Sequence, residues 1–151
     1  MADSIKRQIL DAIDTRFKAI LVANGYETNA GQNVFYWRTQ MVPENKLPAI
    51  VYRGTTNRSE VGAGALYENT LTVEIDGFVS ASTDLEADTL LDKLRADIEK
   101  AIKVDDMWGG LALTTEKISD EPTLDRKEKV FGWTAIVIEI EYRTTRWDAY
   151  S

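Results

Sequence analysis

Apolar residues between positions 4 and 24 recur at steps of three and four, which is the period of an amphipathic helix. Charged residues fall between them, so one side of this helix is apolar and the other is polar. Asp3 or Ser4 is suited to cap its beginning, and Gly25 is suited to end it in a left-handed conformation. The apolar side comprises Ile5, Ile9, Leu10, Ile13, Phe17, Ile20 and Leu21.

A second helix is predicted over residues 83–102. Thr83 is a suitable N-cap, and Glu86 follows it at the capping-box spacing, in which two side chains satisfy amides left free at the start of a helix. The same three- and four-residue period continues through this segment. Its apolar side comprises Leu90, Leu91, Leu94, Ile98, Ala101 and Ile102.

Alternating apolar and polar residues predict β-strands elsewhere in the chain. The clearest case is residues 65–80, where Leu71, Val73 and Ile75 alternate with threonines and acids, so that one face of the strand is exposed to solvent. Aromatic and β-branched residues also favour strands. The other predicted strands are residues 33–38, 48–54, 111–119 and 130–145.

Two segments between these elements read as loops. Residues 54–65 hold three of the nine glycines and few large apolar groups, which indicates a mobile loop. Residues 120–129 are charged and contain a proline, and they form either a solvated turn or an arm that acquires a partner. We expect both segments to be poorly ordered in a free subunit and to become ordered on assembly.

The order of these elements predicts the fold class. Helices and strands do not alternate as they do in parallel crossover units. We therefore expect an α+β fold with a mostly antiparallel β-sheet and two α-helices packed on one face, in a single domain that covers residues 1–151.

The composition argues against most enzyme chemistry. The chain has no cysteine and no histidine, which removes disulfides, thiolate zinc sites and the commonest general base. Asp105 and Asp106 lack the alternating oxygens of a calcium loop. Gly109 and Gly110 lack the lysine of a phosphate-binding loop and fit a tight helix-to-strand corner. We expect no enzyme activity, no cofactor and no metal.

The charge and hydropathy patterns bear on partners. The formal net charge is −7, and such a chain is repelled by phosphate backbones unless its basic residues gather on one face. No run approaches the length of an apolar membrane span, and the first residues lack the apolar region of a signal peptide. We expect no membrane partner and a protein made in a cytoplasm.

Aromatic residues are the main candidates for contacts between proteins. Trp108 beside the glycine pair is either a lid over the end of the second helix or a contact with another chain. Four tryptophans and six tyrosines favour at least one protein contact, because such rings are enriched at the centres of interfaces. Arg146 and Trp147, near the end of the chain, suit either a stack on single-stranded nucleic acid or a contact with a neighbouring subunit.

Four carboxylates alternate along two predicted strands: Glu74, Asp76, Glu139 and Glu141. Paired acids perform glycoside hydrolysis when they flank a cleft. On strands patterned for a sheet, however, they indicate a solvent-facing surface. An acidic surface that does not adhere to nucleic acid is the functional alternative.

Four motifs resemble the tail terminator family (minor tail protein U-like) of long-tailed bacteriophages and prophages. A strand that ends at "DGF" (76–78) leads into the helix "ADTLLDKLRADIEKA" (87–101). The corner "WGGLALTT" (108–115) and the strand "IVIEIEYRT" (136–144) follow. The likeness covers the C-terminal half, and residues 26–65 match nothing in the family pattern.

The resemblance implies a structural protein of the virion tail, assembled in the host cytoplasm. It implies a homo-hexameric ring that caps the tail tube protein, ends tube polymerisation and meets the head-tail connector or neck protein, with DNA only as passing cargo. The four carboxylates are then candidates for a pore-facing surface. A neck protein for head-to-tail joining or tail completion, and a small α+β ligand-binding domain, are the alternatives. Candidate subunit or partner contacts are Arg58, Glu60, Trp108, Asp125, Arg126, Lys127, Arg146 and Trp147.

Overall fold

A computed structural model describes residues 2–151 as one β-sheet and two α-helices, joined by short segments that include three 3₁₀ turns. The sheet has five strands in the order β1-β2-β3-β5-β4. Only the β1–β2 pair is parallel, and the other three pairs are antiparallel. The predicted α+β class is therefore confirmed. The elements are α1 (Ile5–Lys18), β1 (Val34–Tyr36), β2 (Ala49–Val61), β3 (Leu66–Ala81), α2 (Asp84–Lys103), β4 (Thr114–Arg126) and β5 (Val130–Thr145).

Both helices cover the same face of the sheet, as predicted. Helix α2 lies over β3 and β5 so closely that a Cβ atom at Gly77 would lie 2.7 Å from Leu94 Cδ2. The α1 side chain Leu10 packs beside Gly54 of β2, and the phenol of Tyr52 donates a 2.9 Å hydrogen bond to Asp14 of α1. Alternate strand residues supply the floor of this core: Ile50 and Tyr52 of β2, Leu71, Val73 and Ile75 of β3, and Ile136, Ile138 and Ile140 of β5.

The predicted helix caps form, but the first helix is shorter than expected. Ser4 Oγ accepts from the amide of Arg7 at 3.1 Å, and Thr83 Oγ1 accepts from that of Glu86 at 3.2 Å. Helix α1 ends at Lys18 rather than near residue 24. The chain crosses back over this end, where the Gly31 amide donates to Ile20 O at 2.8 Å. Gly25 is left-handed as predicted (φ 90°), but it closes the separate 3₁₀ turn Val22–Asn24.

The two predicted mobile loops are wrong in their boundaries, because most of each is strand. Strand β2 continues to Val61 and pairs with β3, and β4 continues to Arg126 and pairs with β5. Only residues 62–65 and 127–129 join the strands. Both hairpins contain a register shift, between Gly54 and Asn57 and between Lys117 and Ser119. The composition of these segments resembles that of loops. They form strands because they pair with β3 and β5.

Candidate functional site

The sheet face opposite the helices, hereafter the open face, collects all four predicted carboxylates. Glu74 and Asp76 lie on β3, and Glu139 and Glu141 lie on β5 at positions that alternate with the buried isoleucines. In the β3–β5 register, Glu139 lies opposite Thr72 and Glu141 lies opposite Thr70. Side chains on directly opposed residues share a face, so the structure brings the four acids onto one surface.

Arg53 of β2 divides these four acids into two pairs. Its guanidinium donates to Asp76 Oδ2 at 2.8 Å and lies 3.4 Å from Glu74 Oε2. The hydrogen bond to Asp76 is the main reason why the pKa of Arg53 is raised. Within residues 2–151, Glu139 and Glu141 make no salt bridge. Of these four acids, the two without a salt bridge therefore lie on β5.

Strand β4 extends this acidic region with residues that sequence reasoning missed. Glu116 lies opposite Glu139, and Glu121 lies opposite Ala135. Like charges that face each other across a strand pair are destabilising, so the Glu116–Glu139 pair lowers the local stability of the sheet. Only the register of β4 with β5 reveals the Glu116–Glu139 pair, and Glu121 lies beyond residue 119, where the sequence predicts that the strand ends.

A groove lies at the end of the open face beside the β4–β5 hairpin tip, where residues 37–48 pass over the sheet. Its volume is about 430 Å³, and we call it the open-face groove. Phe78, Phe131 and Trp133 line it from β3 and β5. The sequence carries a signal for this site, since these strand ends are apolar on both faces, as expected of a strand that is covered on both sides. The remaining lining includes Met41, Leu47 and Val51, with the charged side chains Arg38, Arg53, Lys127, Asp76 and Asp125.

The structure separates the predicted contact residues into two groups. Arg58 and Glu60 lie on exposed β2, beside the turn 62–65. Asp125, Arg126 and Lys127 lie at the other hairpin tip, beside the start of α2, where Arg126 lies 3.6 Å from Asp84. Because β3 is antiparallel to β5, these tips are at opposite ends of the sheet. Asp125 and Lys127 also line the open-face groove.

Trp108 belongs to the core rather than to a surface. Its side chain is 1% exposed, and its indole N–H donates to Thr115 Oγ1 at 2.8 Å. The Arg16 guanidinium lies 5.2 Å from the ring centre. The interpretation of Trp108 as a lid is therefore confirmed, and its assignment as a contact with another chain is wrong, because the ring has almost no free surface.

The corner that holds Trp108 depends on backbone conformation and on a carboxylate. Gly109 (φ 73°) and Gly110 (φ 87°) are both left-handed, as the predicted tight corner requires. Asp105 accepts hydrogen bonds from the amides of Gly109 at 2.8 Å and Met107 at 3.0 Å. These hydrogen bonds lower the pKa of Asp105, and the bond from Gly109 has the largest effect. The corner is structural, and it sets the direction in which β4 leaves α2.

Arg146 and Trp147 lie in a compact segment, residues 146–151, that we call the C-terminal hook. Trp147 is 90% exposed and makes an edge-on contact with Tyr67 of the sheet, at 5.8 Å between ring centres. Arg146 places its guanidinium over the same tyrosine, also at 5.8 Å. The hook therefore presents an indole to solvent beside the β2–β3 hairpin tip.

A second cavity, of about 310 Å³, lies on the helix side of the sheet beside the C-terminal hook. Here the core-facing positions become polar: Asn69 donates to Thr144 Oγ1 at 3.0 Å, and Tyr142 donates to Asn57 Oδ1 at 3.1 Å. Burial raises the pKa of the Tyr142 phenol. These polar groups satisfy one another, which explains how Asn69 and Thr144 are buried without cost from unpaired atoms.

Across residues 2–151, no three acidic side chains converge into a group that could hold a metal ion. No helix in that range combines the length and apolar composition that a membrane crossing requires. No protein-family model matches the sequence, and no curated protein matches it.

Proposed function

We propose that this chain is a structural subunit of a long-tailed bacteriophage. In this proposal it closes into a homo-hexameric ring, caps the tail tube, ends tube polymerisation and provides the surface that meets the head. The observation that carries the proposal is that the segments resembling the tail terminator family form one packed unit. Helix α2 lies on β3 and β5, and the corner is fixed to β4 through Trp108 and Thr115.

The open face supports a role beside passing DNA. Glu139 and Glu141 carry charge without salt-bridge partners within residues 2–151, and Glu116 adds to it. DNA adheres to proteins by neutralising its phosphates with cations. A ring that turned this face toward its pore would repel DNA and let it pass.

The hairpin tips and the C-terminal hook support contacts with other subunits, with the tube protein and with a neck protein. Ring closure requires two different patches that meet head to tail. This chain presents different chemistry at the two ends of its sheet, an exposed indole at one and an aromatic groove at the other. In this proposal the protein works in the virion tail after assembly in the host cytoplasm, and it transforms no molecule.

The open-face groove favours one rival function, a small α+β ligand-binding domain. Ligand sites are concave and mostly apolar with a few polar groups, and this groove has that character. A ligand held in this groove would raise the melting temperature of the native protein, and Asp76→Asn with Asp125→Asn, which changes the two acids of the lining, would reduce that rise. The ring proposal expects no such dependence on these two side chains.

The ring itself is tested by measuring mass in solution over a concentration series, followed by negative-stain imaging. The proposal expects a six-subunit species, with ring-shaped particles, that grows with concentration or on addition of tube protein. A chain that remains a monomer under all of these conditions would contradict it. A head-joining neck protein would also assemble, but it would leave the length of growing tubes unchanged.

A further inference from the structure

We propose that the C-terminal hook of one copy docks into the open-face groove of a second copy, with Trp147 inserted between residues 37–48 and the sheet. The inference rests on the proposed self-association and names the two surfaces that meet. It is carried by the conformation of the hook, the lining of the groove and their positions in the fold.

Trp147 has a strained backbone conformation, although its side chain is mostly exposed. Its φ of 59° lies in the left-handed region, which is disfavoured for a residue with a bulky side chain. Trp108 has a similar φ of 53°, but its ring is buried in the core and hydrogen-bonded. Strained residues cluster where a surface binds another molecule. The 90% exposed ring of Trp147 therefore suits burial against a partner.

The hook is preorganised by hydrogen bonds that do not involve the indole. The Arg146 amide donates to Ala65 O at 2.8 Å, and the Ile5 amide at the start of α1 donates to Ala149 O at 2.9 Å. Asp148 accepts from the Tyr150 amide at 2.9 Å and from Ser151 Oγ at 2.6 Å. A hook that is already fixed in this way loses little conformational entropy on binding.

The groove matches the hook in its chemistry. Its floor holds three aromatic rings, which pack against an indole in edge-to-face or offset arrangements. Its lining has three cations (Arg38, Arg53, Lys127) against two acids (Asp76, Asp125), an excess of positive charge in a chain of net charge −7. The hook carries the Asp148 carboxylate between two exposed rings, Trp147 and Tyr150, while its one basic side chain, Arg146, lies over Tyr67 of its own chain. Aromatic and charge complementarity therefore point to the same occupant.

A hook cannot reach the groove of its own chain. It leaves the sheet at Thr145, opposite Leu66, whereas the groove floor includes Phe78 opposite Trp133. Leu66 and Phe78 are twelve residues apart along β3, roughly 40 Å at the rise of a strand. The contact is therefore between copies, and it joins two different patches, as a ring or a filament requires.

Two complementary variants test the pairing. Trp147→Ala removes the inserted ring, and the double variant Met41→Glu/Lys127→Glu places carboxylates at the mouth of the groove, on exposed positions that leave the core intact. Each variant alone is expected to associate about 30-fold more weakly than the native chain, the effect of losing one interface hot spot. Leu85→Ala, which truncates a 76% exposed leucine on α2, is the matched control and is expected to assemble as the native chain does.

Mixing the two variants gives the decisive result, read by sedimentation velocity. Trp147→Ala keeps a working groove and the double variant keeps a working hook, so the mixture forms a one-to-one dimer that grows no further. Since the chain has no cysteine, Tyr150→Cys added to the double variant and Lys127→Cys added to Trp147→Ala place one thiol on the working hook and one at the working groove, and they report the same contact by cross-linking. If both variants assemble normally, or the mixture stays monomeric while the native chain assembles, the hook proposal is overturned and the ring proposal survives. A native chain that never assembles overturns both.

Discussion

Three residues other than glycine have a positive φ among residues 2–151, and all three are tryptophans: Trp37, Trp108 and Trp147. The ring of Trp108 is almost completely buried, whereas Trp37 is 54% exposed and Trp147 is 90% exposed. The same backbone conformation therefore occurs in two environments. In one the side chain is buried in the core, and in the other it is exposed to solvent. Composition alone gives each tryptophan similar odds of packing, so the sequence does not separate them.

Truncation of Trp108 measures what the core setting contributes. We expect Trp108→Ala to lower the free energy of unfolding by about 3–5 kcal/mol, because it leaves a large cavity beneath the glycine corner. Trp108→Phe removes the hydrogen bond to Thr115 while keeping most of the ring and costs less. Urea denaturation measures both, with Trp147→Ala as a control that stays within about 0.5 kcal/mol of the native chain. Equal losses for Trp108→Ala and Trp147→Ala would contradict the placement of the two rings.

The carboxylate of Asp105 makes the corner sensitive to pH. Its pKa is lowered in the folded chain, so its contribution to stability is present above the pKa of the unfolded chain, near 3.9, and is lost as pH falls through the folded value. Asp105→Asn is therefore expected to lower the melting temperature at pH 7 and to match the native chain near pH 2. Asp106→Asn is the neighbouring control. A difference between Asp105→Asn and the native chain that is the same at both pH values would refute this role.

Among the elements, the hairpins formed by β2–β3 and β4–β5 differ most from sequence-based expectation. The long strands β3 and β5, helix α2 with its Thr83 cap and the glycine corner are all predictable, because each has strong periodicity or a specific turn residue. The ends of β2 and β4 are polar and contain glycine, threonine or proline, and they become strands only by pairing with β3 and β5. Such pairing is a tertiary effect that local composition does not show.

The candidate site divides in the same way. Alternation along two strands places Glu74, Asp76, Glu139 and Glu141 on one face, and the structure agrees. The ion pairs with Arg53 and the opposition of Glu116 to Glu139 depend on strand register, which the sequence does not specify for β2 and β4. The open-face groove depends on the path of residues 37–48 over the sheet, which no periodic pattern records.

Amide hydrogen exchange of the free chain distinguishes strands from mobile loops in these hairpins. We expect amides in residues 57–61 and 119–126 that bond to β3 and β5 to exchange more slowly than those in turns 62–65 and 127–129. Ordering on assembly is then expected for the turns alone. Exchange in both hairpins as fast as in the turns would restore the interpretation of these segments as mobile loops.

For the whole molecule, the proposed passage of DNA depends on the distribution of charge. Replacing Glu139 and Glu141 by lysine changes the open face from repulsive to attractive for phosphates, so we expect salt-dependent DNA binding by the assembled variant and none by the native protein. Asp88→Lys with Asp106→Lys makes the same change in net charge at exposed positions elsewhere. Filter binding at two salt concentrations compares the pairs. Equal DNA retention by both variants would mean that net charge, rather than the open face, governs this interaction.

The capping of a growing tail tube tests the central claim most directly. Tube subunits are polymerised with and without the protein, and tube lengths and ends are measured by negative-stain microscopy. If the chain is a ring-forming terminator, tubes stop growing once it is added, and each stopped end carries a ring. Tubes that continue to grow at the same rate, with bare ends, in the presence of excess assembled protein would contradict the account.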